Sequence, residues 1–295
     1  MKKKRIKKKN VIVFGGAGFI GSHISDYLSD EGYKVTIFDK NKSKYKKKNQ
    51  TMIVGDITNY HEVQKALKNQ IYIFHFAGVA DLEESNLKPF KAIKSNIFGT
   101  ANILEAMKKN KTNSRIIFAS SIYARSKQGG VYSTTKRSCE SLIENYSSDY
   151  NINYTILRFG SLYGLRANYF NAIQKLILQG IKHKKIKREG DGMEIRNYIN
   201  VEDAAKICVK ILKKKYVNKY YNIMGKEKMT VRKIINLISK KTYAKKTIYQ
   251  KGKPNNMHYK TNPFTYKVKE AKFFNLKNSI NLEQGIQKIV DNYSK

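Results

Sequence analysis

The sequence predicts an α/β protein: a doubly wound parallel sheet carrying a smaller α/β lobe. Three observations predict it. Short, continuously apolar runs of strand length alternate with stretches of helical periodicity, the pattern of a parallel sheet covered on both faces. Glycines cluster between the first such run and the first helical stretch. An aspartate closes the second run, roughly twenty residues further on.

The elements follow in order. VIVF at 11–14 is the first strand, and glycines stand at 15, 16, 18 and 21. Phe19, Ile20, His23, Ile24, Tyr27 and Leu28 then recur at helical spacing, up to Gly32. YKVTIFD is a second strand ending in Asp39. Strand, glycine turn, helix and strand make a unit of roughly thirty residues, the context in which a glycine fingerprint means a dinucleotide site. Gly15 permits the sharp turn, Gly18 admits a pyrophosphate to the helix N-terminus, and Gly21 lets helix and strand pack closely. Phe19 and Ile20, in the first helical turn, complete that cradle. Asp39 is placed to accept from the adenosine ribose hydroxyls, and its charge opposes a 2′-phosphate. The cofactor expected is therefore NAD rather than NADP, although Lys40, Lys42 and Lys44 follow closely.

TMIVGDI and IYIFHFAG read as strands three and four, with a short helix between them around 60–68. A long helical stretch covers 90–110, SRIIFAS is strand five, a helix runs from Tyr132 to about Tyr150, and NYTILRF is strand six. The architecture is thus Rossmann-type. It assigns 1–164 to the dinucleotide-binding domain, with 195–212 returning to it. Residues 165–194 and 213–295 form the smaller substrate lobe.

Bulk composition constrains function less. With 295 residues, 41% of them apolar, the chain can bury a real core. No apolar run approaches the ~20 residues of a membrane span, and MKKKRIKKKN lacks the features of a signal peptide, so a cytoplasmic protein is expected. Cys139, Cys208 and five scattered histidines offer neither metal-ligand spacing nor a disulfide framework. The net charge of +37 invites a nucleic-acid reading. Lysines, however, are spread over most ten-residue blocks, with residues 2–9 the densest cluster, so compositional bias is the better account.

Together GGAGFIG, GDI at 55–57, HFAG at 75–78, SNIFGTANILEA at 95–106, YSTTK at 132–136, LRFGSLYG at 157–164, GDGMEIRNYINVEDAA at 190–205 and YNIMG at 221–225 resemble, in order and over essentially the whole chain, an extended short-chain dehydrogenase/reductase. The branch resembled is that of NAD-dependent nucleotide-sugar epimerases and dehydratases. The resemblance implies that Asp56 reaches the adenine, with Ile57 beside it. It also implies that Phe76, Ala77 and Gly78 pass near the cofactor, and that Arg196 binds the phosphates of a nucleotide-diphosphate sugar. The aspartate usual after that arginine is Asn197 here. A homodimer through helices at 88–110 and 132–150 is implied too, as is a place in cell-surface polysaccharide biosynthesis.

The same resemblance assigns the chemistry to a Tyr-x-x-x-K pair. Tyr132 and Lys136 lie four apart on a helix and so share a face. A phenol with an ordinary pKa near ~10 is a poor base; a neighbouring ammonium and an oxidised nicotinamide would favour its phenolate. Lys136 can also hold the nicotinamide ribose. Tyr123 has Lys127 at the same spacing, but in a glycine-bounded loop. Ser121 matches the serine that hydrogen-bonds the reacting hydroxyl, with Ser120 as alternative. Ser121 and Tyr132 are only eleven apart, where the family more often has a loop roughly twice as long. Dehydratases carry an Asp-Glu pair directly after the catalytic Ser/Thr, and decarboxylases a glutamate nearby; Ile122 and Tyr123 stand there instead. That favours 4-epimerisation through a transient 4-keto sugar. The alternatives are a keto-sugar reductase or dehydratase and, from another class, a non-catalytic dinucleotide- or RNA-binding protein. Asn96 is read as lying near the nicotinamide side or as packing, and Cys139 as core.

Overall fold

The computed structural model describes residues 9–110 and 113–250, all within one compact unit of the chain. The basic residues 2–8 and the expected closing segment NPFTYKVKEAKFFNL lie outside the described residues.

In chain order the elements are β1 (Asn10–Phe14), α1 (Phe19–Asp30), β2 (Lys34–Asp39), β3 (Thr51–Val54), α2 (Tyr60–Ala66), β4 (Tyr72–His75), α3 (Leu82–Leu87), α4 (Pro89–Ile93), α5 (Gly99–Asn110), β5 (Arg115–Ser121), α6 (Gly130–Tyr150) and β6 (Asn153–Phe159). After these come β7 (Ser161–Tyr163), α7 (Ala172–His183), β8 (Lys185–Glu189), β9 (Ile195–Arg196), β10 (Tyr198–Asn200), α8 (Val201–Lys210), β11 (Lys219–Ile223), β12 (Met229–Thr230), α9 (Val231–Thr242) and β13 (Lys246–Gln250).

Seven strands form one sheet in the order β11-β6-β5-β4-β1-β2-β3, and every pairing is parallel. The two-residue period of a strand explains why the runs had to be apolar throughout. In β1, Ile12 and Phe14 enter the core under α2, α5 and α6, while Val11 and Val13 enter the opposite core with α1 and α8. Each such buried side chain contributes about 1.5–3 kcal/mol of transfer free energy. The chain builds β2 and β3 on one side of β1 and β4 to β6 on the other, so the order reverses between β1 and β4. Ligands of open α/β sheets bind at that crevice, beyond the carboxyl ends of the strands.

Two segments differ from the expectation. Residues 219–223, placed in the smaller lobe by sequence, are β11, the edge strand of the main sheet beside β6. The burial of Ile223 and the hydrogen bonds that Asn218, just before the strand, exchanges with Tyr154 tie it there. The long helix expected over 90–110 is interrupted by a π-turn at Lys94–Phe98. Asn96 in that turn bonds the backbone of Val79 and Thr135 Oγ1.

Beyond the main sheet, α7 and α9 bury Ile173, Leu176, Ile234 and Ile235 around Ile186. The parallel β8–β13 ladder, the antiparallel β9–β12 pair and the parallel β7–β10 pair complete the described residues. No helix among them is long and apolar enough to cross a membrane.

Candidate active site

The turn from β1 into α1 is shaped by what its glycines exclude. Gly15 has φ +77°, and a Cβ there would stand 2.6 Å from the Ala77 backbone nitrogen. A Cβ on Gly21 would lie 2.1 Å from the Gly15 carbonyl oxygen. Gly18 is the exposed N-cap of α1; no side chain caps that end and no acidic residue occupies the first turn. The leading amides of the helix, those of Phe19, Ile20 and Gly21, have no carbonyl partner within the helix and suit a diphosphate. Asp39, ending β2, accepts through Oδ2 from the Ala17 N–H at 3.1 Å and through Oδ1 from the Asn41 N–H at 3.0 Å. Its carboxylate is thereby fixed against the glycine turn.

Lys40 does not stand free beside it, because Nζ pairs with Asp56 Oδ2 at 2.9 Å. Burial works against the Asp56 carboxylate, but the Thr58 N–H and the Lys40 ammonium hold its pKa below the usual value. Ile57 packs its side chain against Gly99, and its carbonyl accepts from Asn102. Phe76, Ala77 and Gly78 follow β4 along the same edge. Gly78 has φ +140°, and a Cβ there would meet Asn96 Oδ1 at 2.4 Å. Asn96 therefore clamps this loop to α6 through Thr135.

Ser121, Tyr132 and Lys136 come together where β5 ends against the first turns of α6. All three are buried, at 6%, 8% and 8% exposure. Ser121 stands next to Tyr132, close enough to favour its phenolate. Ser121 Oγ is held in turn by the Tyr123 N–H at 3.2 Å. Lys136 Nζ donates to the Ala119 carbonyl at 2.7 Å and lies 5.8 Å from the Tyr132 ring centre. In the protein itself burial dominates the phenol. The Tyr132 phenol is pushed up to about 12, with Ser121 pulling the other way. Burial also lowers the Lys136 pKa, opposed by Cys139 and Glu140. The expected depression of the phenol thus needs a further positive charge at the site.

Ser120 is engaged elsewhere. Its hydroxyl donates to Glu140 Oε1 at 2.5 Å, and Glu140 binds Arg158 through Nε at 2.9 Å and Nη2 at 2.6 Å. Glu140 is the only buried carboxylate among the described residues. Sequence reasoning passed over this group, although Glu140 follows Lys136 by one helical turn. The short connection from β5 to α6 is closed by Gly129 (φ +95°) and Gly130 (φ +51°), with Ser126 and Arg137 bracing it. Arg196 sits apart from the three, on β9; it is buried and its Nη1 donates to the Ile195 carbonyl.

The chain is similar to known proteins over most of its length. The family described as "NAD dependent epimerase/dehydratase family" matches residues 11–224. A UDP-N-acetyl-α-D-glucosaminuronate decarboxylase of Bacillus cytotoxicus is 27% identical, covering 96% of this chain and 97% of its own. A trifunctional UDP-glucose 4,6-dehydratase/UDP-4-keto-6-deoxy-D-glucose 3,5-epimerase/UDP-4-keto-L-rhamnose-reductase of Arabidopsis thaliana is 30% identical over 79% of this chain, which spans only 40% of that protein. Among solved structures, a UDP-N-acetylglucosamine 4-epimerase from Methanobrevibacter ruminantium, bound to UDP-N-acetylmuramic acid, superposes with a TM-score of 0.78 at 26% identity, covering 90% of this chain and 94% of that one.

Proposed function

Since the chain belongs to the NAD dependent epimerase/dehydratase family, we propose that it is an NAD-dependent nucleotide-sugar epimerase that inverts C4. One observation carries the choice of reaction. Among the described residues the site offers one buried phenol with a serine and a lysine, and the one buried carboxylate, Glu140, is already paired. Ile122 and Tyr123 follow Ser121, and Glu140 is consumed by Arg158 and Ser120.

The glycine cradle fits a dinucleotide, and in this reading Gly15, Gly18, Phe19, Ile20 and Gly21 take the diphosphate while Asp39 takes the adenosine ribose. Asp56 and the 76–78 loop border the adenine and nicotinamide ends. NAD, when bound, supplies the hydride acceptor and a positive charge beside the phenol. Tyr132 Oη takes the proton of the sugar C4 hydroxyl and later returns it. Ser121 Oγ steadies that hydroxyl, and its closeness to Tyr132 favours the phenolate. Lys136 keeps a cation in the buried site and reaches the nicotinamide ribose. Arg196 binds the substrate phosphates as a planar guanidinium can.

The protein is further proposed to be a homodimer. Leu87, Phe90, Ile93 and Phe98 are exposed by 74%, 87%, 45% and 51% along α3, α4 and the π-turn, an apolar strip suited to a second copy.

The test is NMR of purified protein with UDP-glucose, UDP-N-acetylglucosamine, UDP-glucuronate and GDP-mannose, without added reductant. A C4-inverted product without net redox change, absent in Tyr132→Phe with a loss of about 10²–10⁴ in rate, supports the reading. Release of carbon dioxide from UDP-glucuronate moves the assignment to a decarboxylase. Consumption of a keto sugar only with NAD(P)H moves it to a reductase.

A further inference from the structure

We propose that Tyr123 determines sugar specificity: its ring is a wall of the sugar subsite beside Tyr132 and stacks on the apolar face of the pyranose. The inference rests on the proposed epimerase site.

Tyr123 lies two residues beyond the end of β5, in a short 3-10 turn at Ile122–Arg125. Its backbone is locked to the reacting group. The N–H donates to Ser121 Oγ, and the carbonyl accepts from Ser133 Oγ and from the Ser126 N–H, both at 2.9 Å. Its ring stands edge-to-face against the Tyr132 ring, with centres 6.5 Å apart and planes at 72°. On the other side the space is reserved for it. A Cβ on Gly129 would lie 2.9 Å from Tyr123 Cδ1 and 3.0 Å from Ser133 Cβ. Gly129 also needs its positive φ to turn the chain into α6. The two glycines and the brevity of the connection thus carry an aromatic ring to the edge of the reacting phenol and hold it there.

A substrate hydroxyl that reaches Tyr132 brings its pyranose ring within the same few ångströms. Pyranoses present C–H groups on their faces, and a half-buried aromatic ring is the surface that complements them. The residue positioned here offers an aromatic face, so its contribution is to hold and select the sugar. The nucleotide is bound elsewhere and does not feel the ring.

The experiment compares wild type, Tyr123→Phe, Tyr123→Leu and Tyr123→Ala as NAD-loaded enzymes. Dissociation constants for UDP-glucose, UDP-N-acetylglucosamine and UDP alone are measured by calorimetry, and KM and kcat by the NMR assay. NAD affinity and thermal melting confirm that each variant folds. Tyr123→Phe is expected to keep KM and kcat within about twofold. Tyr123→Ala is expected to weaken the UDP-sugar by about five- to tenfold while UDP alone binds as to wild type, with Tyr123→Leu between them. Equal loss of UDP and UDP-sugar affinity, or no loss of either, overturns the proposal. So does a Tyr123→Phe kcat as low as that of Tyr123→Ala, which would make the phenol a proton donor. A wild-type protein that binds NAD but no nucleotide sugar overturns the epimerase reading and this inference with it; intact binding insensitive to Tyr123 overturns this inference alone.

Discussion

Replacing Glu140 by alanine should destabilise the protein by about 3–5 kcal/mol, the usual loss when one partner of a buried ion pair is removed. The magnitude follows from what is left behind. The side chains of Arg158 and Glu140 are only 16% and 7% exposed. Arg158 would keep its charge but lose the acceptors at 2.9 and 2.6 Å, and the Ser120 hydroxyl would lose its own at 2.5 Å. The Tyr220 ring, 4.6 Å from the guanidinium, offers only partial compensation. At about 2–4 °C per kcal/mol for a chain of this class, the melting temperature should drop by at least ~6 °C. Urea unfolding should show a lower midpoint at an unchanged slope. The double variant Glu140→Leu/Arg158→Met should recover most of the loss, because buried pairs can be replaced by packed apolar groups at little cost. Glu140 also opposes the fall of the Lys136 pKa, so the alkaline limb of activity should move to lower pH in Glu140→Ala. A midpoint change equivalent to less than about 1 kcal/mol would refute the reasoning, since it would mean water already reaches the pair.

Two further outcomes are expected. Phe90→Glu should convert a dimer to a monomer in sedimentation equilibrium while leaving the melting of a monomeric fraction within about 0.5 kcal/mol, since Phe90 is 87% exposed; a monomeric wild type would remove the dimer proposal. His75 is fully buried, and burial, followed by Lys136, lowers its pKa to about 3. Its stabilising contribution is complete above the ordinary histidine value of 6.5 and is lost as pH falls from there towards 3. At pH 5 the loss is on the order of 2 kcal/mol, and His75→Phe should lack that part of the acid dependence in urea titrations.

The sheet was legible because each of its central strands obeys a local rule. Val11 to Phe14 must bury both faces, and a strand buried on both faces has no polar position to spare. The cradle was legible for the same kind of reason: Gly15 has a positive φ and a steric neighbour that only glycine tolerates, and such requirements are written residue by residue. Lys219–Ile223 was misplaced because a half-buried edge strand with two tyrosines and a lysine carries little periodic signal. The π-turn was hidden because its cause, Asn96 reaching Val79 and Thr135, lies 17 and 39 residues away in sequence.

By itself the sequence determined the dinucleotide fold, the glycine turn with its aspartate, and the Tyr132–Lys136 spacing, all of which depend on neighbours within a turn or a strand. Only the tertiary structure separates the surroundings of Ser120 and Ser121, adjacent and chemically identical: Glu140, twenty residues on, holds the hydroxyl of the first, and the second lies beside Tyr132. It also decided that burial, not the lysine, sets the phenol of the protein by itself, because desolvation depends on everything packed around a group and on nothing that can be read beside it in the chain.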